Sequence, residues 1–249
     1  MSFLFCLDRQ RDRPAWIYGA GAILNPTITI TDGRVYFFES RNEKARARAT
    51  GRISLRELTE SEFYLVSLDA ATGRRIWDKA MDLRMCENIL YLSAAKGALV
   101  VVGSGLSPQN DAQYHVRVLE ATTGEERWHA THDNGKPGAL GHGEQVHHPV
   151  LLGRVLVTEP VMYDLETGRP YNPEGKEEHW RIMRPGHSCG TMSGAGASLF
   201  FRANNPTLLN LDDTKPVPAR FTALAPTRPG CWINIIPANG LVLIPEASA

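Results

Sequence analysis

"LVSLDAATGRRIW", Leu65–Trp77, returns further along the chain as "VRVLEATTGEERW", Val116–Trp128, and more loosely as "VMYDLETGRPYNPEGKEEHW", Val161–Trp180. The shared core is an acid, then Thr-Gly, then an aromatic residue. Asp69, Thr72, Gly73 and Trp77 correspond to Glu120, Thr123, Gly124 and Trp128, and again to Asp164, Thr167, Gly168 and Trp180. Near the start, Asp8 and Trp16 stand at the spacing of the first two copies, and "NLDDTKPVPARF", Asn210–Phe221, reads as a degraded copy ending on Phe221. Self-similarity of this kind is the mark of a repeat architecture.

Each part of the phrase has a local cause. "FYLVSL", Phe63–Leu68, and "YHVRVL", Tyr114–Leu119, have the β-branched and aromatic composition of strands. A carboxylate bonds main-chain N–H groups just ahead of it, and glycine supplies the positive φ of a tight turn. The tryptophan then offers a large flat body to fill the gap between packed sheets. Asp69, Gly73, Trp77, Glu120, Gly124, Trp128, Asp164, Gly168 and Trp180 are therefore read as structural residues.

Between the copies runs a second motif, glycine followed by an apolar run: "GRVYFF" from Gly33, "GALVVV" from Gly97, "GRVLVT" from Gly153, "GASLFF" from Gly196 and "GLVLI" from Gly240. Each is preceded by another short apolar stretch, which makes a second hairpin and four strands per repeat. Four short strands per repeat predict an all-β chain of propeller blades. About five blades are expected within a single domain, 1–249, near 24–80, 86–133, 146–184, 189–222, and 231–249 completed by 1–20. Two arrangements stay open, a closed five-bladed ring or an excerpt of a larger one with edges able to associate. "SLRELTESEF", Ser54–Phe63, is the one stretch that reads as a short helix.

Composition sets outer bounds. Of 249 residues, 43% are apolar and 22% charged, and 27 basic side chains balance 27 acidic ones. The balance gives no overall attraction to nucleic acid or to an acidic membrane surface. No stretch reaches transmembrane length. "MSFLFCLDRQ" lacks the features of an export signal, so the sequence read alone names no compartment. Cys6, Cys86, Cys189 and Cys231 form no C-x-x-C pair, which removes zinc-ribbon, thioredoxin and c-type haem readings.

"LDAATGRRIW" and "LEATTGEERW" resemble the repeat of the pyrroloquinoline quinone (PQQ)-like β-propellers, a group that includes quinoprotein alcohol dehydrogenases and an outer-membrane assembly scaffold. "HSCGTMSGAGASLFFR" and "RPGCWINIIPANGLVLIPEASA" are similar to the C-terminal blades of large bacterial propellers of the PQQ-binding-like type. The resemblance implies a propeller fold, a periplasmic or other extracytoplasmic setting, and PQQ with Ca²⁺ if the chain follows the dehydrogenases. Those enzymes carry a vicinal cysteine pair beside the quinone, and no two cysteines are adjacent here. Their Glu, Asn and Asp metal set and Asp base find no residue-by-residue counterpart. The fold is shared by many roles, so function rests on the site.

"GHGEQVHHP", Gly141–Pro149, gathers the densest chemistry. His142, Glu144 and His147 are the candidate acid–base residues, since His and Glu flanked by glycine can hold a metal or move a proton. His147, His148, His187, Cys189 and Cys231 are the candidate cofactor-binding residues, and Cys86, His147, Cys189 and Cys231 the candidate metal ligands. Cys86, Cys189 and Cys231 each stand shortly before their repeat's glycine motif, at the start of an inner hairpin, and Asn25 and His147 hold comparable places. In a propeller these positions ring one face of the central channel. The alternative is packing: a cysteine there behaves as a small hydrophobe, and Cys189 and Cys231 could instead bridge adjacent blades. "RNEKARARATGR", Arg41–Arg52, reads as a solvated basic insertion, and "GSGLSP", Gly103–Pro108, as the end of a strand rather than a phosphate loop.

The expected function is binding or scaffolding through the channel face, toward a protein partner or a small ligand. The alternative is a PQQ-dependent alcohol dehydrogenase-like oxidoreductase using the His/Glu cluster.

Overall fold

The structure, a computed structural model, describes residues 3–48, 52–133, 148–182, 184, 190–224 and 235–245. The fold is all-β, built of antiparallel blade-type sheets, as the repeat predicts. The chain divides into two compact units, Met1–Gly105 with Tyr114–His129, and Leu106–Gln113 with Ala130–Ala249.

The first unit opens with a hairpin, β1 (Leu4–Asp8) and β2 (Arg13–Tyr18). A sheet follows from β3 (Ala22–Ile23), β4 (Thr29–Thr31), β5 (Arg34–Ser40), β6 (Phe63–Asp69) and β7 (Arg75–Ala80). The next sheet, mostly in this unit, is β8 (Ile89–Ala95), β9 (Ala98–Leu106), β10 (Ala112–Glu120) and β11 (Glu126–Asp133), paired in chain order. In the second unit β12 (Val150–Leu152), β13 (Val155–Thr158) and β14 (Val161–Asp164) form one sheet. Another holds β15 (Ser193–Ala195), β16 (Ser198–Ala203), β17 (Asn205–Asn210) and β18 (Phe221–Ala223), and β19 (Ile236–Ala238) pairs with β20 (Leu241–Leu243).

Strand β5 explains why these sheets read as unbroken apolar runs. Successive side chains point to opposite faces. Val35 and Phe37 pack toward Leu4, Trp16 and Tyr18 of the first hairpin, whereas Tyr36 and Phe38 join Leu92, Leu99, Val101 and Leu119 of the next sheet. Covered on both sides, the strand has no polar face to show. Val157, Met162, Leu199, Phe201 and Leu209 form the matching core of the second unit. The first hairpin keeps Phe3, Phe5, Leu7 and Ile17 on its exposed face.

The acid–Thr–Gly phrase closes a five-residue turn, with Gly73 N–H donating to the Asp69 carbonyl at 2.9 Å and Gly168 N–H to that of Asp164 at 2.9 Å. Asp69 Oδ1 also accepts from Thr72 N–H at 2.8 Å and Thr72 Oγ1 at 2.7 Å. Glu120, one methylene longer, accepts instead from Thr122 Oγ1 at 3.0 Å, a residue earlier than the alignment suggests. Trp16 and Trp77 are partly buried against apolar clusters of the first unit, and Trp180 against that of the second.

Three details depart from four regular strands and one helix. The sheet of β12–β14 has three strands, and the expected fourth is reduced to a bridge between Tyr163 and Pro170. Pro170 and Pro173 supply no N–H for a ladder there. Pro26 breaks the innermost strand of the first sheet into β3 and β4 around a 3-10 turn, Asn25–Thr27, and both pieces pair with β5. The expected helix is α2 (Leu55–Thr59), started by a capping box of Ser54 and Glu57. A second helix, α1 (Glu43–Arg46), forms inside the run read as a solvated loop, because Asn42 caps it by accepting from Lys44 N–H at 2.9 Å.

Candidate functional site

An antiparallel meander places alternate turns at opposite ends of a sheet. The glycine turns therefore share one end, and the strand starts share the other with the β5–β6 and β13–β14 connections. In the first unit the strand-start end carries the 41–62 insertion. Its residues Ala45, Arg46, Arg48, Ile53 and Leu58 lie opposite Gly19–Pro26, the segment leading into the first inner hairpin.

Between them lies a cavity of about 250 Å³. Gly19, Ala20 and Gly21 supply main chain outside the ladder, and Asn25, the position predicted to face a ligand, stands exposed at its rim. Ile23, Leu24, Ile53 and Leu58 give it apolar walls, and Arg46 and Arg48 bring charge. The walls form because α2 turns Leu58 into the core beside Phe63 while its capping box fixes the helix start. Arg48 Nη2 donates to Glu57 Oε1 at 2.5 Å. Hydrogen bonds from the Ser54 main chain and hydroxyl, and then Arg48, hold the Glu57 carboxyl below its ordinary value.

Behind Gly21 runs a charged network that the sequence does not advertise. Glu39 is fully buried. Its Oε1 accepts from the Tyr18 hydroxyl at 3.0 Å and from Arg41 Nε at 2.8 Å, while its Oε2 has no hydrogen-bond partner among the described residues. Arg41 also donates to Asp78 Oδ2 at 2.5 Å and lies 4.0 Å over the Tyr64 ring. Arg75 reaches the same Asp78 oxygen at 3.0 Å. Burial, and then the Glu39 carboxylate, pushes the Tyr18 phenol up to about 12. Arg41 is thus part of the packing rather than of a solvated loop, and only the ladder register could have revealed it.

The other candidates fall as follows. His142, Glu144, His147, His187, Cys189 and Cys231 lie outside the described residues. His148 is exposed and its Nδ1 donates to the neighbouring Pro149 carbonyl at 3.0 Å. Cys86 is a free, buried thiol packed on Gly103, and burial pushes it up to about 12. A thiol held protonated is a poor metal ligand and nucleophile. Among the described residues no group of three or more His, Cys, Asp or Glu side chains is placed to hold a metal. With no adjacent cysteines in the chain either, the described residues do not fit PQQ with Ca²⁺.

The second unit adds two polar contacts that sequence reading missed. His132, on β11, donates from Nε2 to the Thr158 carbonyl at 3.0 Å, so in the neutral ring Nδ1 accepts the Tyr163 hydroxyl at 2.9 Å. Arg184 pairs with Glu159 at 2.7 Å, both nearly buried, and donates to the Gly190 carbonyl at 3.0 Å. That ion pair ties the β13–β14 turn to the segment leading into β15, at the strand-start end. The place of His132, two alternations beyond Trp128 in one strand, was the available signal.

The family model described as outer membrane protein assembly factor BamB matches residues 58–170, the span of all three acid–Thr–Gly turns. Over that span the chain is similar to the PQQ-like repeat family. Among solved structures it is similar to BamB from Moraxella catarrhalis, at 14% identity and a TM-score of 0.46, over 80% of this chain and 50% of that one. It is also similar to the quinohemoprotein alcohol dehydrogenase from Comamonas testosteroni, at 15% identity and a TM-score of 0.46, over 91% and 41%. The Neurospora crassa Pan2 WD40 domain matches at 9% identity and a TM-score of 0.42, over 80% and 49%. The chain spans half or less of the length of these structures. No curated protein matches.

Proposed function

We propose that this PQQ-like repeat chain is a non-catalytic binding module that engages its ligand at the strand-start end of its sheets. One observation carries the reading: Ala45, Arg46, Arg48, Ile53 and Leu58 of the β5–β6 insertion and Gly19–Pro26 line a partly open cavity of about 250 Å³ with apolar walls and two arginines. Recognition sites of this kind, mostly apolar with a few placed polar groups, sit on loops held by a rigid scaffold. Among the described residues none that lines the cavity is a general base or nucleophile.

Ligand-observed NMR of small-molecule fragments tests it. Ala20→Trp plugs the cavity, and Ala71→Trp places the same side chain on an exposed turn at the opposite end. Hits abolished by Ala20→Trp and kept by Ala71→Trp support the reading, and hits indifferent to both overturn it. Dye-linked alcohol oxidation on adding PQQ and Ca²⁺ would also overturn it.

A further inference from the structure

We infer that the cavity under the 41–62 insertion takes a small monoanion with an apolar body, of the class of a short alkyl or aryl carboxylate. The inference rests on the binding reading above and adds the charge and size of the ligand.

The charge follows from which groups around the cavity are already compensated. Arg48 is committed to Glu57 at 2.5 Å. Behind Gly21, the carboxylates of Glu39 and Asp78 face the guanidinium groups of Arg41 and Arg75, two of each sign, so the network is neutral as a whole. Arg46 lines the cavity from α1, and among the described residues its side chain has no ion pair. Of the charged residues that line the cavity, Arg46 is the one without an ion pair among the described residues, and its positive charge favours a negative charge on the ligand. A guanidinium presents a planar fork that matches a carboxylate.

Size and polarity fix the rest. About 250 Å³ is the space of roughly eight water molecules at about 30 Å³ each. That accommodates a short chain or a single ring. Ile23, Leu24, Ile53 and Leu58 offer hydrocarbon to the body of such a ligand. The fully buried Glu39 carboxylate lies behind the Gly21 main chain and is compensated by Arg41.

Calorimetric titration with hexanoate, hexanamide and hexylammonium tests the inference, since the three differ mainly in charge. Hexanoate is expected to bind at least tenfold more tightly than hexanamide, and hexylammonium least of all. Arg46→Gln, a change on an exposed helix face, is expected to weaken hexanoate about tenfold while leaving hexanamide unchanged, and Arg46→Lys to retain most of the affinity. Rising salt should weaken hexanoate alone. Equal binding of hexanoate and hexanamide, or an Arg46→Gln variant that binds hexanoate like the parent, overturns the inference while leaving the binding reading standing, provided Ala20→Trp abolishes both. No binding of any probe at millimolar concentration overturns both.

Discussion

Gly73 presents its bare Cα to the indole of Trp16. A Cβ there would fall 2.5 Å from Trp16 Cδ2, and one on Gly124 would fall 3.0 Å from Trp77 Cζ3. The turn glycine of one copy is therefore the seat for the tryptophan of the copy before it. The conserved-looking phrase within this chain is a lock between neighbouring sheets, in which turn and wedge are one device.

Two glycines separate the conformational cost from the steric one. Gly33 and Gly73 share a left-handed φ, +70° and +69°, but a Cβ on Gly33 meets nothing within 4 Å. Gly33→Ala is expected to cost about 1–2 kcal/mol from the left-handed backbone alone. Gly73→Ala should cost about 1–3 kcal/mol more, the usual range for overpacking. Urea denaturation measures both, and combining Gly73→Ala with Trp16→Ala should remove the excess. Equal losses at the two glycines would mean that the indole needs no seat.

Trp77 sits on its glycine as Trp16 does, yet its polar end is treated differently. Trp16 Nε1 donates to the Ala70 carbonyl at 3.0 Å. The equivalent acceptor for Trp77 is the Ala121 carbonyl, which accepts from the Tyr36 hydroxyl at 3.1 Å instead, and Trp77 Nε1 is buried without a partner among the described residues. Tyr36→Phe leaves that carbonyl only a long 3.5 Å bond from Arg34 Nη1 and so opens it to the indole. Its cost should fall below the about 1 kcal/mol typical of a lost hydrogen bond. The Trp77 indole proton should also move downfield in the NMR spectrum. A full loss of stability with an unmoved indole proton would show that the two donors do not compete.

The same contrast marks how far the sequence could be read. Strands, turns and wedges were legible because each is written locally: alternating apolar residues, an acid three residues before its threonine, a glycine at positive φ. The interrupted strand at Pro26 and the helix capped by Asn42 were legible only in part, since each depends on one residue overriding the repeat. The cavity was legible only through Asn25. Its walls come from two segments far apart in the chain, 19–26 and 45–58, and no spacing rule joins them. Glu39 and Arg41 were hidden for another reason: at the end of an apolar strand they look like ordinary surface charges, and only the ladder shows that they face inward.

Burial of Glu39 makes Arg41 indispensable to the first unit. Removing one partner of a buried ion pair leaves an uncompensated charge and typically costs about 3–5 kcal/mol. Arg41→Met should reach that range. Glu39→Gln should cost less, because the amide keeps an acceptor for the Tyr18 hydroxyl, and the double variant should recover much of the Arg41→Met loss. Additive effects in the double-mutant cycle would rule out the pair as the source.

Tyr18 carries the pH dependence of this network. Burial and the adjacent Glu39 carboxylate raise its phenol from 10.0 to about 12. Between those values the unfolded chain has lost the proton that the folded chain keeps, so stability falls as pH rises. The contribution is complete below about pH 10 and is lost by about pH 12. Tyr163 and Cys86, each raised by burial to about 12, erode stability at the alkaline end as well, so the parent should unfold steeply there. In Tyr18→Phe one of these protons is gone, and the alkaline limb of a stability–pH curve should be shallower by up to one proton while the curve below about pH 9 keeps its shape. An unchanged alkaline slope would place the Tyr18 hydroxyl outside the buried network and deny Glu39 its second donor.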